Sequence, residues 1–194
     1  MAAFDLIGYL RELHAHPFPP GKDLQPLITQ SARVFRDVFG IEGGEEILTR
    51  LMFNPGRIEG GEKANIVAEQ CRMDLDIRVP WGCSLEDLRR GIAEHAPDAT
   101  IREMDVAEPT LTPLDARIVR AVCQEVERVY GMPAVPFLQW AASDAKYLRD
   151  EGFAVVEYGP GEVPTLHAVD ERVSVRQLEM AVDVYRGVIR GYSG

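Results

Sequence analysis

Arg72-Met73-Asp74-Leu75-Asp76-Ile77-Arg78-Val79-Pro80 decides how the first half of this chain folds. Met73, Leu75, Ile77 and Val79 alternate with Arg72, Asp74, Asp76 and Arg78. That period of two predicts a strand with one apolar and one polar face, stopped at Pro80. Upstream, residues 48–70 predict a second strand, interrupted by Pro55-Gly56 and ended by Gly60-Gly61. Downstream, Ser84 predicts an N-cap, with Glu86 and Asp87 suited to the first turn of a helix running to about His95. Residues 98–106 predict a further strand.

Helical periodicity brackets this sheet. Phe4, Ile7, Leu10 and Leu13 recur along residues 2–14. Leu27, Ile28, Val34, Phe35 and Val38 recur along 24–39, where Gly40 predicts the stop. Helix, strand, strand, helix, strand is the ferredoxin-like order with its first strand absent. A boundary is expected near Glu108-Pro109, and the signals restart beyond it. Thr112 predicts an N-cap with Pro113 at the first helical position. Leu114, Ile118, Ala121, Val122, Val126 and Val129 then share one face, closed by Gly131. A short strand at 134–136, a helix over 145–151 capped by Ser143 or Asp144, a buried strand at 154–158 and a final helix at 175–192 complete an α/β class. Two helices and short strands bury too little surface alone, so residues 109–194 are expected to need a partner domain.

Composition narrows the function. The 194 residues carry a formal charge of −10, which argues against a nucleic-acid partner because phosphate binding calls for clustered Lys and Arg. No apolar run approaches the ~20 residues of a membrane helix, and the N-terminus lacks a signal-peptide pattern, so no membrane association and a cytoplasmic location are expected. Cys71, Cys83 and Cys123 are odd in number and never in CxxC spacing; they are expected to be reduced and structural.

Residues 163–175, VPTLHAVDERVSV, place His167 between the Gly159-Pro160-Gly161 loop and the last helix. With RIEGGEKANIVAEQCRMDLDIRVP, SLEDLRRGI, SDAKYL and YGPG, in that order along the chain, they resemble the di-zinc amidohydrolase family of succinyl-diaminopimelate desuccinylase, acetylornithine deacetylase, aminoacylase and glutamate carboxypeptidase. The resemblance implies that residues 1–108 are an incomplete ferredoxin-like lid and dimerisation domain, and 109–194 the C-terminal portion of the α/β catalytic domain. It implies metal-assisted amide hydrolysis with two zinc ions, or cobalt or manganese. His167 matches a ligand of the second metal, while the first metal histidine, bridging aspartate, tandem glutamates and remaining carboxylate belong to an N-terminal half that the chain lacks. No catalytic residue is expected here.

For substrate contacts the resemblance implies Asn65 and Arg78. Asn65 also reads as a turn residue after Gly60-Gly61, and Arg78 as a solvent-facing strand residue beside Asp76. A guanidinium fork gripping a substrate carboxylate would be the reason for arginine at position 78. Ser143 and Asp144 match the family and equally suit an ordinary helix cap. Trp140, Ala141 and Ala142 stand where the desuccinylase-like pattern has Gly-Gly-Thr. Asp170 and Glu171 read either as groups orienting the His167 ring or as solvated charges. His14, His16 and His95 read as structural.

The expected function is therefore a portion of a zinc-dependent hydrolase of N-acyl amino acids or small peptides, inactive without its missing half. The alternative is a non-catalytic dimerisation and interaction module. A homodimer through the lid is expected, with residues 57–69 and 84–95 as the contact and Ile92 as a test position only if it faces outward.

Overall fold

The computed structural model describes residues 2–192, which divide into two units: residues up to 29 with 43–109, and residues 30–42 with 110 onward. The first unit contains α1 (Ala2–Ala15), the start of α2 (Gln25–Phe39), α3 (Gly44–Thr49), β1 (Met52–Gly60), β2 (Cys71–Arg78) and α4 (Leu85–His95). β1 and β2 pair antiparallel as the single sheet among the described residues.

The sheet follows from the alternation. Phe53, Met73, Leu75, Ile77 and Val79 pack on a core of Leu6, Leu10, Leu51, Leu88 and Ala96. The register slips between Pro55 and Arg57, so Gly56 is an extra residue that brings Ile58 opposite Met73. Gly60 sits so close to the returning strand that a Cβ would meet the Gln70 carbonyl oxygen at 2.5 Å. On the polar face Arg57 stands across from Asp74 and Glu59 across from Arg72, an alternation of charge that avoids like-charge pairs.

Three expectations in this unit need correction, and the condition set on Ile92 is not met. α1 buries Leu6 and Leu10 while Phe4 is 79% exposed, because the face follows spacings of four and three rather than a strict three. Leu48 and Thr49 belong to α3, whose Thr49 hydroxyl donates to the Glu45 carbonyl at 2.7 Å, and not to a strand. Residues 98–106 form no strand. Ile101, Met104 and Val106 are exposed there, so no buried face holds the segment extended. Glu103 is instead gripped by both Nε and Nη2 of Arg89, at 2.7 and 2.8 Å. Finally, Ile92 packs toward the core, and the outward positions of α4 include Glu86, Asp87, Arg89, Arg90 and Glu94. Its free face is charged rather than apolar. Ser84 caps α4 as expected, its hydroxyl accepting the Asp87 N–H at 3.2 Å.

The second unit holds the rest of α2, α5 (Arg117–Tyr130), α6 (Ala145–Asp150), a 3-10 turn (Val163–Thr165) and α7 (Val175–Tyr192). α5 packs along α7, burying Val119, Ala181 and Val184. Arg117 closes the end of α7 by donating to the Gly191 and Tyr192 carbonyls at 3.3 and 3.1 Å. Gly131 ends α5 as expected, at φ 69°.

Thr112 does not cap α5, which starts after Ala116. Its hydroxyl accepts the Val155 N–H at 2.9 Å and donates to the Val155 carbonyl at 2.7 Å. One side chain thus does for Val155 what a neighbouring strand would do. Residues 154–158 and 134–136 accordingly remain irregular, since among the described residues no strand pairs with them to complete a ladder.

Candidate functional site

His167 follows the 3-10 turn, in a loop tied together locally. Thr165 donates to the Glu162 carbonyl through both its N–H and its hydroxyl at 2.8 Å, and Arg172 Nε reaches the Glu162 carboxylate at 2.9 Å. His167 itself has φ 62°, a left-handed conformation rarely adopted by residues other than glycine. Its N–H donates to Glu171 Oε2 at 3.1 Å. The Glu171 carboxylate therefore braces the backbone of the loop, a role that neither reading of the sequence, ring-orienting group or solvated charge, gives it. Asp170 is exposed.

Upstream, three tyrosines hold the chain where it enters the Gly159-Pro160-Gly161 loop. The Tyr185 hydroxyl donates to the Tyr158 carbonyl, and the Tyr158 and Tyr130 hydroxyls meet at 3.2 Å. Burial pushes the Tyr158 phenol well above its ordinary range, and the neighbouring Tyr130 adds to the shift. Sequence reading missed this cluster, because the three positions are separated along the chain and only Tyr158, the first residue of YGPG, belongs to a quoted motif.

Ser143 and Asp144 precede α6. Asp144 occupies the N-cap position without a side-chain cap bond, and the Ser143 hydroxyl accepts the Ala145 N–H at 3.3 Å. The Asp144 side of the pair is exposed. In the first unit, Asn65 lies in the exposed turn between β1 and β2. Arg78 ends β2 on its polar face, with Nη2 at 3.2 Å from Asp76 Oδ2.

Of the remaining histidines, His16 is exposed and the other two are bound into the fold. His14 Nδ1 lies 2.9 Å from the Leu51 carbonyl oxygen, and His95 Nδ1 lies 2.8 Å from that of Gly91 with its ring stacked on Tyr9 at 4.2 Å. Among the described residues no group of three or more His, Cys, Asp or Glu side chains is placed to hold a metal. One imidazole at position 167 does not fit a metal pair without further donors. Burial raises the Cys83 and Cys123 thiols above their ordinary range, the direction of unreactive cysteines.

Residues 6–191 match the model of Peptidase family M20/M25/M40. The chain is 27% identical over 151 residues to succinyl-diaminopimelate desuccinylase of Hydrogenovibrio crunogenus, covering 75% of this chain and 40% of that protein. It is 30% identical over 151 residues to N-acetyl-L-citrulline deacetylase of Xanthomonas campestris pv. campestris, covering 74% and 40%. In fold it is similar to the M20 family metallo-carboxypeptidase Sso-CP2 from Sulfolobus solfataricus, with a TM-score of 0.66 at 13% identity over 97% of this chain and 51% of that one. The chain thus spans about two-fifths to one half of the length of these relatives. With the match running through nearly all of its residues, the chain belongs to Peptidase family M20/M25/M40.

Proposed function

We propose that this chain supplies part of a metal-dependent hydrolase that cleaves the amide bond of N-acyl amino acids or small peptides, with His167 contributing one ligand to a zinc pair. The observation that carries the reading is the His167 loop: a non-glycine residue in left-handed backbone, braced by its own Glu171, in the segment shared with the family. Backbone held in a sparsely populated conformation is a recognised mark of functional positions. The bound metal would supply an activated water and a polarised carbonyl; among the described residues no cluster of further donors stands with His167 to complete the site.

In this reading the ferredoxin-like lid lies within residues 1–108 and 109–194 form part of the catalytic domain, with residues 30–42, the rest of α2 included, grouping with the latter. Arg78 offers a guanidinium to a substrate carboxylate, and Asn65, Ser143 and Asp144 offer further polar contacts. A second copy of the chain is the expected partner, pairing through the exposed hairpin of β1 and β2, where Ile58, Ile66 and Val67 face solvent. The charged outward face of α4 makes the hairpin the better of the two contact regions.

The test is reconstitution with the family's metal-ligand half supplied in trans or by fusion. Hydrolysis of an N-acyl amino acid should disappear in His167→Ala and persist in His95→Ala. Equal losses in the two variants would contradict the assignment.

A further inference from the structure

Residues 136–140 have no regular secondary structure, yet one helix holds them closely. Gln30 Nε2 donates to the Pro136 carbonyl at 2.6 Å, and the Leu138 N–H donates to Ser31 Oγ at 2.8 Å. Ser31 is fully buried and Leu138 is 4% exposed. A buried N–H without an acceptor is costly, so the hydroxyl at position 31 is what makes this irregular backbone tolerable in the interior. One turn further along α2, Phe35 meets Phe137 and Trp140 edge to face, with ring centres 6.1 and 4.8 Å apart. Phe39 meets the same two rings at 5.6 and 6.3 Å. Polar and aromatic contacts therefore come from one helix and act on a single segment, whose chain continues into Ser143 and Asp144.

We propose that Gln30 and Ser31 are positioning residues: α2 clamps residues 136–140, so that Trp140 and the following Ser143-Asp144 pair are presented to substrate in one conformation. The substrate-facing part rests on the function proposed above; the clamp itself does not. The Trp140 ring is in contact with both Phe35 and Phe39, which restricts its motion.

Amide hydrogen exchange on the full chain tests the clamp, with Ser31→Ala and Gln30→Ala as independent variants. Each should speed exchange across 136–144 by roughly tenfold or more while α5 and α7 keep their protection. Unchanged exchange at 136–144, or an equal increase in α5 and α7, would overturn it. Binding of N-acetyl-L-phenylalanine, measured on the same proteins and on Ser143→Ala, separates the clamp from its functional meaning. Weaker binding in both Ser31→Ala and Ser143→Ala supports the positioning role. Weaker binding in Ser143→Ala alone overturns it. Absence of binding to the unaltered chain, or no effect of Ser143→Ala, counts against the proposed contact at Ser143, and the clamp is then decided by exchange.

Discussion

The two units use similar apolar stretches to different ends. In the first, alternating residues of β2 find β1 beside them and Leu6, Leu10 and Leu88 beneath, so backbone and side chains are satisfied by regular structure. In the second, residues 154–158 are as apolar as a buried strand, yet Val155 finds its hydrogen bonds in the Thr112 hydroxyl. The segment at 136–140 depends in the same way on Gln30 and Ser31. Side chains substituting for a strand partner leave a backbone that is held but not regular. It is on such loops that Ser143, Asp144 and His167 lie.

The sharpest challenge to this contrast is the claim that the irregular unit is still tightly packed. Phe35→Ala should destabilise by about 3–5 kcal/mol and Leu10→Ala by about 2–5 kcal/mol, since both side chains are fully buried. Denaturant unfolding followed by exchange in each region measures both. A loss below about 1 kcal/mol for Phe35→Ala would mean that the cluster around Trp140 is loosely filled.

Smaller effects sharpen the comparison. Ser84→Ala removes the cap of α4 and should cost about 1 kcal/mol, confined to the first unit; equal loss of protection in α7 would break the distinction. The tyrosine cluster gives the second unit a pH signature. Because folding raises the Tyr158 pKa above its ordinary value, the folded form holds its proton longer. The associated stability is complete below about pH 10 and declines as pH rises beyond it. Tyr158→Phe should remove much of that alkaline decline, and an unchanged profile would show that the phenol is not the group responsible. Least of all, Arg78→Lys should alter stability by no more than about 0.5 kcal/mol, because its pair with Asp76 is exposed. A large loss of substrate affinity in that variant would then report the bidentate contact itself.

What the residues made legible was the part of the fold that rests on period and caps. RMDLDIRVP specified both faces of β2, and Ser84 and Gly131 specified helix ends, because each acts through its immediate neighbours. Residues 98–106 misled, since a strand also needs an edge to join. Thr112 looked like a cap because its alternative partner, Val155, is 43 residues away. Ser31 carried one usable signal: it falls between Ile28 and Phe35 on the buried stripe of α2, where a hydroxyl needs a partner. That partner, Leu138, lies 107 residues off and was not legible in any local pattern.

Metal analysis under matched conditions tests the central claim most directly, comparing the 194-residue chain alone, the chain joined to a ligand-bearing half, and the joined His167→Ala protein. The account predicts no tightly held zinc pair on the chain alone, two ions per joined protein, and loss of one of them in His167→Ala. Two tightly bound ions on the chain alone, or full occupancy without the His167 imidazole, would contradict it.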